Sequence, residues 1–110
     1  MKVKELLEKT TWDLVTEDMD LDREIKGAYV GDLLSWVMGN GNRDAAWVTV
    51  QVHTNVVAVA LLREFSCVII ADNANISDEM LEAAKEEGLI LIESHLSSFD
   101  TCKKLVELGV

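Results

Sequence analysis

Two histidines, His53 and His95, stand in short polar stretches that follow apolar runs. Around His53 the chain reads Gln51-Val52-His53-Thr54-Asn55; around His95 it reads Glu93-Ser94-His95-Leu96-Ser97-Ser98. A third such stretch, Asp72-Asn73-Ala74-Asn75, lies between them. Imidazole, hydroxyl, amide and carboxylate groups placed this way can hold a small ligand by directed hydrogen bonds. Ser, Thr, Asn and Asp are also ordinary helix caps and turn formers, and capping alone accounts for Ser77 and for Ser97 or Ser98. Histidine is not a favoured cap, so His53 and His95 are left over. Neither has an acidic or cysteine partner at a metal-ligand spacing, and no metal or cofactor is expected.

Signals for catalysis are weaker. A Ser-His-Asp set can be drawn from Ser97, His53 and Asp72, but neither serine beside His95 lies in a Gly-x-Ser-x-Gly elbow. The chain has no Gly-x-x-x-x-Gly-Lys-Ser/Thr loop and no Gly-x-Gly-x-x-Gly. No enzyme is expected.

The elements that must position these turns are regular from Ala46 onward. Trp47 to Val52 reads as a strand and Val56 to Glu64 as a helix. Cys67 to Ala71 is a continuous apolar strand, and Ser77 opens a helix to about Glu87 that Gly88 ends. Leu89 to Ile92 is a further apolar strand; Ser97 and Asp100 have capping-box-like spacing and open a helix to Leu108. Strands apolar at every position are buried on both faces, as in parallel sheets covered by helices. The expectation is an α/β fold: a small, mostly parallel sheet of about four or five strands, β-α-β-α-β-α in the last two thirds. The polar stretches then fall together at the carboxyl ends of successive strands, where open α/β sheets bind ligands and helix amino termini favour anions.

Before Ala46 the pattern is looser. Lys2 to Lys9 predicts a short amphipathic helix, Trp12 to Val15 a short strand, and Glu17 to Asp22 an acidic loop. Glu24 to Val30 is strand-like, with Gly27 marking a bulge or close approach. Leu33 to Met38 is nearly all apolar, and Gly39-Asn40-Gly41-Asn42 should stop it in left-handed backbone. Trp12, Trp36 and Trp47 are expected as core anchors, and Cys67 and Cys102 as buried free thiols.

With 110 residues, 49% hydrophobic and 27% charged, the chain has the make-up of one soluble globular domain spanning residues 1–110. Its net charge of −10 opposes nucleic acid and anionic membrane surfaces as partners. No apolar run approaches a membrane span and the start is no signal peptide, which makes the cytoplasm the default location. The helix from Val56 is apolar all round, so a second copy of the chain is expected to cover its outer face.

The run Asp22-Arg23-Glu24-Ile25-Lys26-Gly27-Ala28-Tyr29-Val30-Gly31-Asp32-Leu33-Leu34-Ser35, then Val37-Met38, resembles the DRTGG domain family. Trp47-Val48-Thr49-Val50-Gln51-Val52-His53-Thr54-Asn55-Val56-Val57-Ala58-Val59-Ala60 is similar to its second block, and the likeness extends through Ser97-Ser98-Phe99. Lys26 stands at the threonine position and Ala28 at the second glycine. The resemblance implies a small α/β sandwich that tends to dimerise. It also implies a non-catalytic module of the kind found in phosphotransacetylases and between CBS domains in regulated pyrophosphatases. The amino-terminal domain of HPr kinase/phosphorylase is similar to these.

These readings converge on a regulatory, ligand-sensing homodimer that takes a nucleotide or phosphorylated metabolite. The expected pocket is lined by His53, Thr54, Asn55, Asp72, Asn73, His95, Ser97 and Ser98. Asp22, Arg23 and Asp32 are further contributors, with Arg23 the natural partner for an anion. The alternative is a protein-interaction subunit that docks on a redox or metabolic enzyme without a small ligand.

Overall fold

Apolar runs too short for helices pair as strands, and the amphipathic segments between them return the chain across the sheet. The computed structural model describes residues 1–110. In chain order the elements are α1 (Val3–Glu8), β1 (Asp13–Leu14), β2 (Gly27–Val30), α2 (Leu34–Asn40) and β3 (Ala45–Thr49). There follow α3 (Asn55–Leu62), β4 (Cys67–Ile70), α4 (Asp78–Glu87), β5 (Leu91–Glu93) and α5 (Ser98–Glu107). The sheet has five strands in the order β1-β5-β4-β3-β2. Strands β2 to β5 are parallel, and β1 runs antiparallel against β5. The first 45 residues thus supply both edges of the sheet. The mostly parallel α/β fold expected from the apolar runs is the fold found.

Alternation along the strands divides the core in two. Trp47, Val68, Ile70 and Leu91 face α2, α3 and α4, where they meet Val37, Val56, Val59, Met80 and Ala84. Ala46, Val48, Cys67, Ile69 and Ile92 face the other way, onto Val3 and Leu6 of α1, Leu105 of α5 and Trp12. Every residue of β3 and β4 is buried. Burial pushes the Cys67 thiol up to about 12, against a smaller opposing effect of the Arg23 charge. Cys102 is only half-buried, not a full core residue, and burial raises its pKa as well.

Helix ends follow local chemistry. The Ser77 hydroxyl accepts from the Met80 N–H, and Gly88 closes α4 at φ 73°. Ser97 likewise accepts from the Asp100 N–H. The Gly39–Asn42 stretch departs from expectation. Helix α2 runs on through Asn40, and Gly41 ends it in extended backbone at φ −64° and ψ 140°. What requires glycine there is crowding: an added methyl would overlap the Phe65 ring and sit 3.0 Å from the Val37 carbonyl oxygen. Trp36 also departs, being 63% exposed, while Trp12 and Trp47 are buried as anchors. Trp47 packs on Phe65 with ring centroids 5.5 Å apart and donates its indole N–H to the Gly31 carbonyl at 2.9 Å.

Two glycines two residues apart should therefore respond with opposite sign. Gly41→Ala is expected to destabilise the fold by roughly 1–3 kcal/mol through overpacking. A methyl at helical Gly39 meets nothing within 4 Å, so Gly39→Ala should stabilise by about 0.4–1 kcal/mol. Urea unfolding midpoints of the two variants check this.

Candidate functional site

A sheet covered on both faces leaves its edges as the place for polar groups. The loops after β2, β3, β4 and β5 all emerge along the carboxyl edge of the parallel strands. Antiparallel β1 adds Asp13, which lies opposite Glu93. The rim therefore gathers Asp32, His53, Thr54, Asn55, Asp72, Asn73, His95, Ser97 and Ser98. His53, Asn55, Asp72, Asn73 and His95 are exposed, while Thr54, Ser97 and Ser98 are half-buried.

Several of these side chains are committed to the backbone. Asp32 ties the end of β2 to β3: its Oδ1 accepts from the Thr49 hydroxyl at 2.8 Å and the Val50 N–H at 2.9 Å. These bonds draw the chain out of the ladder after Thr49, so β3 stops short of the expected Val52. The Gln51 amide donates to the Asp32 carbonyl at 3.0 Å. His53 Nδ1 accepts from the Asn55 N–H at 3.1 Å, so this imidazole takes up a helix-end donor after all. Accepting at Nδ1 puts the ring proton on Nε2, which is left to face solvent.

Between β4 and β5 the following helices leave for opposite faces, α4 to one and α5 to the other. Such a parting is where α/β sheets open a crevice. Here the two loops bridge it. The Asp72 N–H donates to the Leu96 carbonyl at 2.7 Å, and His95 Nδ1 lies 2.8 Å from Asn73 Oδ1. Asp72, Asn73 and His95 all hold left-handed backbone, at φ 58°, 52° and 62°, a region those residue types enter more readily than most. Elsewhere β2 to β5 advance in sequence order with α2, α3 and α4 on one face, so no second parting occurs. The rim is an open ledge: of its loop residues only Leu96 borders any of the three surface cavities, one of about 360 Å³.

His95 also has acidic neighbours that spacing along the chain had not suggested. Its Nε2 lies 2.7 Å from Asp13 Oδ2 and 4.0 Å from Glu93 Oε2. The missed signal was the pair Glu93 and His95, two residues apart and so on one face of an extended chain. Asp13 needed the β1–β5 pairing, which no local pattern announces.

Asp22 and Arg23 are not part of this rim. They precede β2, whose amino end lies at the opposite edge, where the Lys26 N–H donates to the Asp44 carbonyl. Arg23 Nη2 donates to Asp44 Oδ1 at 3.2 Å and to the Glu64 carbonyl at 2.9 Å. With Arg43, Glu64, Phe65 and Ser66 it borders a cavity of about 410 Å³. Asp22 pairs loosely with Lys2 at 3.9 Å. The strand-end loops at the carboxyl edge contain no lysine or arginine.

At the amino edge Asp44 is the hub, with Lys26 at 3.6 Å and Arg43 at 3.9 Å in addition to Arg23. Burial raises its pKa, but the Arg23 hydrogen bond and the charges of Lys26, Arg23 and Arg43 together hold it below the usual carboxylate range. A depressed folded-state pKa stabilises the protein above the unfolded value, and that contribution is lost as pH falls through the folded one. Asp44→Asn should therefore cost a constant amount of stability above about pH 5 and progressively less below about pH 4. Unfolding curves of the parent and the variant across about pH 3–7 read the difference.

Among curated proteins, none matches the chain in sequence. A solved structure of the CBS and DRTGG domains of the regulatory region of Clostridium perfringens pyrophosphatase, complexed with the activator diadenosine tetraphosphate, is similar in fold. The TM-score is 0.73 at 14% identity, and the likeness covers 93% of this chain and 44% of that one. The chain thus spans less than half the length of that structure. Residues 49–108, more than half of the sequence, match the model of the HPr Serine kinase N terminus, and the chain belongs to that family.

Proposed function

We propose that residues 1–110 form a single regulatory domain without catalytic activity that senses a small anionic ligand, a nucleotide or phosphorylated metabolite, and acts as a homodimer. The observation that carries this reading is the gathering of four polar loops on one exposed ledge beside an uncovered apolar face. Helix α3 is the favoured seat for an anion: its first turn has no acidic residue, whereas α4 has Asp78 and Glu79, α5 has Asp100, and α2, though free of acid in its first turn, is preceded by Asp32. The His53 Nε2–H stands beside that helix end. The regulatory region of the similar pyrophosphatase is complexed with a dinucleotide activator, which supports a nucleotide as the ligand class. The family's name speaks of a kinase, but this sequence has no phosphate-binding loop with which to be one.

The apolar face supports the dimer. Leu33, Trp36 and Leu62, 67%, 63% and 63% exposed, lie with Val30 and Met38 on and beside the adjacent helices α2 and α3. Patches of this kind on a small domain mark association surfaces.

A second reading, docking on a partner enzyme, draws on Phe99 and Val106. They are 77% and 73% exposed and lie seven residues apart on one side of α5. Thermal-shift measurements with AMP, ATP and diadenosine tetraphosphate separate the two. The sensing reading expects a rise in Tm that His53→Gln abolishes and Arg23→Ala, at the other edge, preserves. Silence with every nucleotide favours docking. For the dimer, sedimentation velocity should show a two-chain species that Trp36→Glu with Leu62→Glu converts to monomer.

A further inference from the structure

We propose that Asp13, Glu93 and His95 form a binding site for a divalent transition-metal ion such as zinc or manganese. The two carboxylates and the imidazole each offer one ligand atom, and these atoms all lie within 4.8 Å of one another. Strand pairing sets this arrangement: Asp13 and Glu93 are direct partners across β1 and β5, and His95 follows two residues later. Metal–ligand bonds of about 2.0–2.2 Å place neighbouring ligand atoms roughly 3–3.5 Å apart. The observed separations of 2.7 and 4.0 Å from Nε2 bracket that span, and the two carboxylate oxygens lie within 4.8 Å of each other.

Two further observations point to a ligand. Within 4 Å neither carboxylate has a lysine or arginine partner, His95 being the sole basic group on them. And the far ring nitrogen has a partner outside the cluster: Asn73 Oδ1 lies 2.8 Å from Nδ1, while Nε2, 2.7 Å from Asp13 Oδ2, is the nitrogen at which an ion would take the place of a proton. The contact with Asn73 is the outer one that metal-binding histidines characteristically have. An imidazole with two carboxylates and no thiolate suits zinc or manganese over magnesium or calcium, which prefer all-oxygen sets. The side chains of Asp13, Glu93 and His95 are 68%, 33% and 43% exposed, so water can complete the coordination.

Such an ion would clamp the two-residue edge strand β1 onto β5 and bring positive charge to a rim whose strand-end loops have no lysine or arginine. The site stands independently of the ligand reading above, because the ion alone is the probe. Chelator-treated full-length chain is titrated calorimetrically with ZnCl₂ and, separately, with MnCl₂. One saturable site per chain is expected. Asp13→Asn, Glu93→Gln and His95→Asn should each weaken it more than tenfold, and Asn73→Ala about tenfold. His53→Asn and Asp78→Asn should leave it unchanged, with circular dichroism confirming that each variant is folded. No saturable binding, or binding that the control substitutions weaken as much as the ligand substitutions do, would overturn the proposal.

Discussion

Burial of β3 and β4 on both faces is the constraint from which the rest follows. All nine of their residues are buried, and side chains alternate between two separate apolar clusters. A strand of this kind is stable only when helices cover both sides of it. The crossovers α2, α3 and α4 cover one side; α1 and α5, from the two ends of the sequence, cover the other. With both faces closed, groups that need water or a partner are confined to the two edges. The location of chemistry is thus a consequence of packing.

The two edges are resolved differently. At the amino edge opposite charges meet: Asp44 draws in Arg23, Lys26 and Arg43, and Arg23 also holds the Glu64 carbonyl. That edge is neutralised internally. At the carboxyl edge the strand-end loops have acidic residues and histidines but no lysine or arginine. Hydrogen bonds such as Asp32 to Val50 and Asn73 to His95 shape the ledge, yet they leave the His53 Nε2 and the Asn55 and Asp72 side chains facing solvent. An edge that is built but not satisfied is the better place to look for a ligand.

Most of the fold was legible in the sequence because the signals were local. Cys-Val-Ile-Ile is the covered strand β4, and Leu-Ile-Leu-Ile marked β5, although the strand takes only Leu91 and Ile92 of it and runs on to Glu93; Ser77 and Gly88 mark the ends of α4 as capping chemistry says they should. The rim was legible for the same reason, since a polar turn after a parallel strand must lie at the carboxyl edge. What failed was non-local. Arg23 looked like an anion partner by type, but β2 sends it to the opposite edge. Trp36 looked like a core anchor by type, but the buried stripe of α2 is only Val37. Asp13 reaches His95 only through the two-residue antiparallel strand β1 and its pairing with β5, a long-range contact that local pattern cannot specify.

The claim at the centre is that ligand recognition belongs to the carboxyl rim and not to the charged cavity beside Arg23 at the other end of the strands. Amide chemical-shift mapping by NMR during titration with diadenosine tetraphosphate tests it most directly. Saturable shifts concentrated at Asp32, His53 to Asn55, Asp72, Asn73 and His95 to Ser98 are the predicted result. Shifts concentrated at Arg23, Arg43, Glu64 and Ser66 would contradict it.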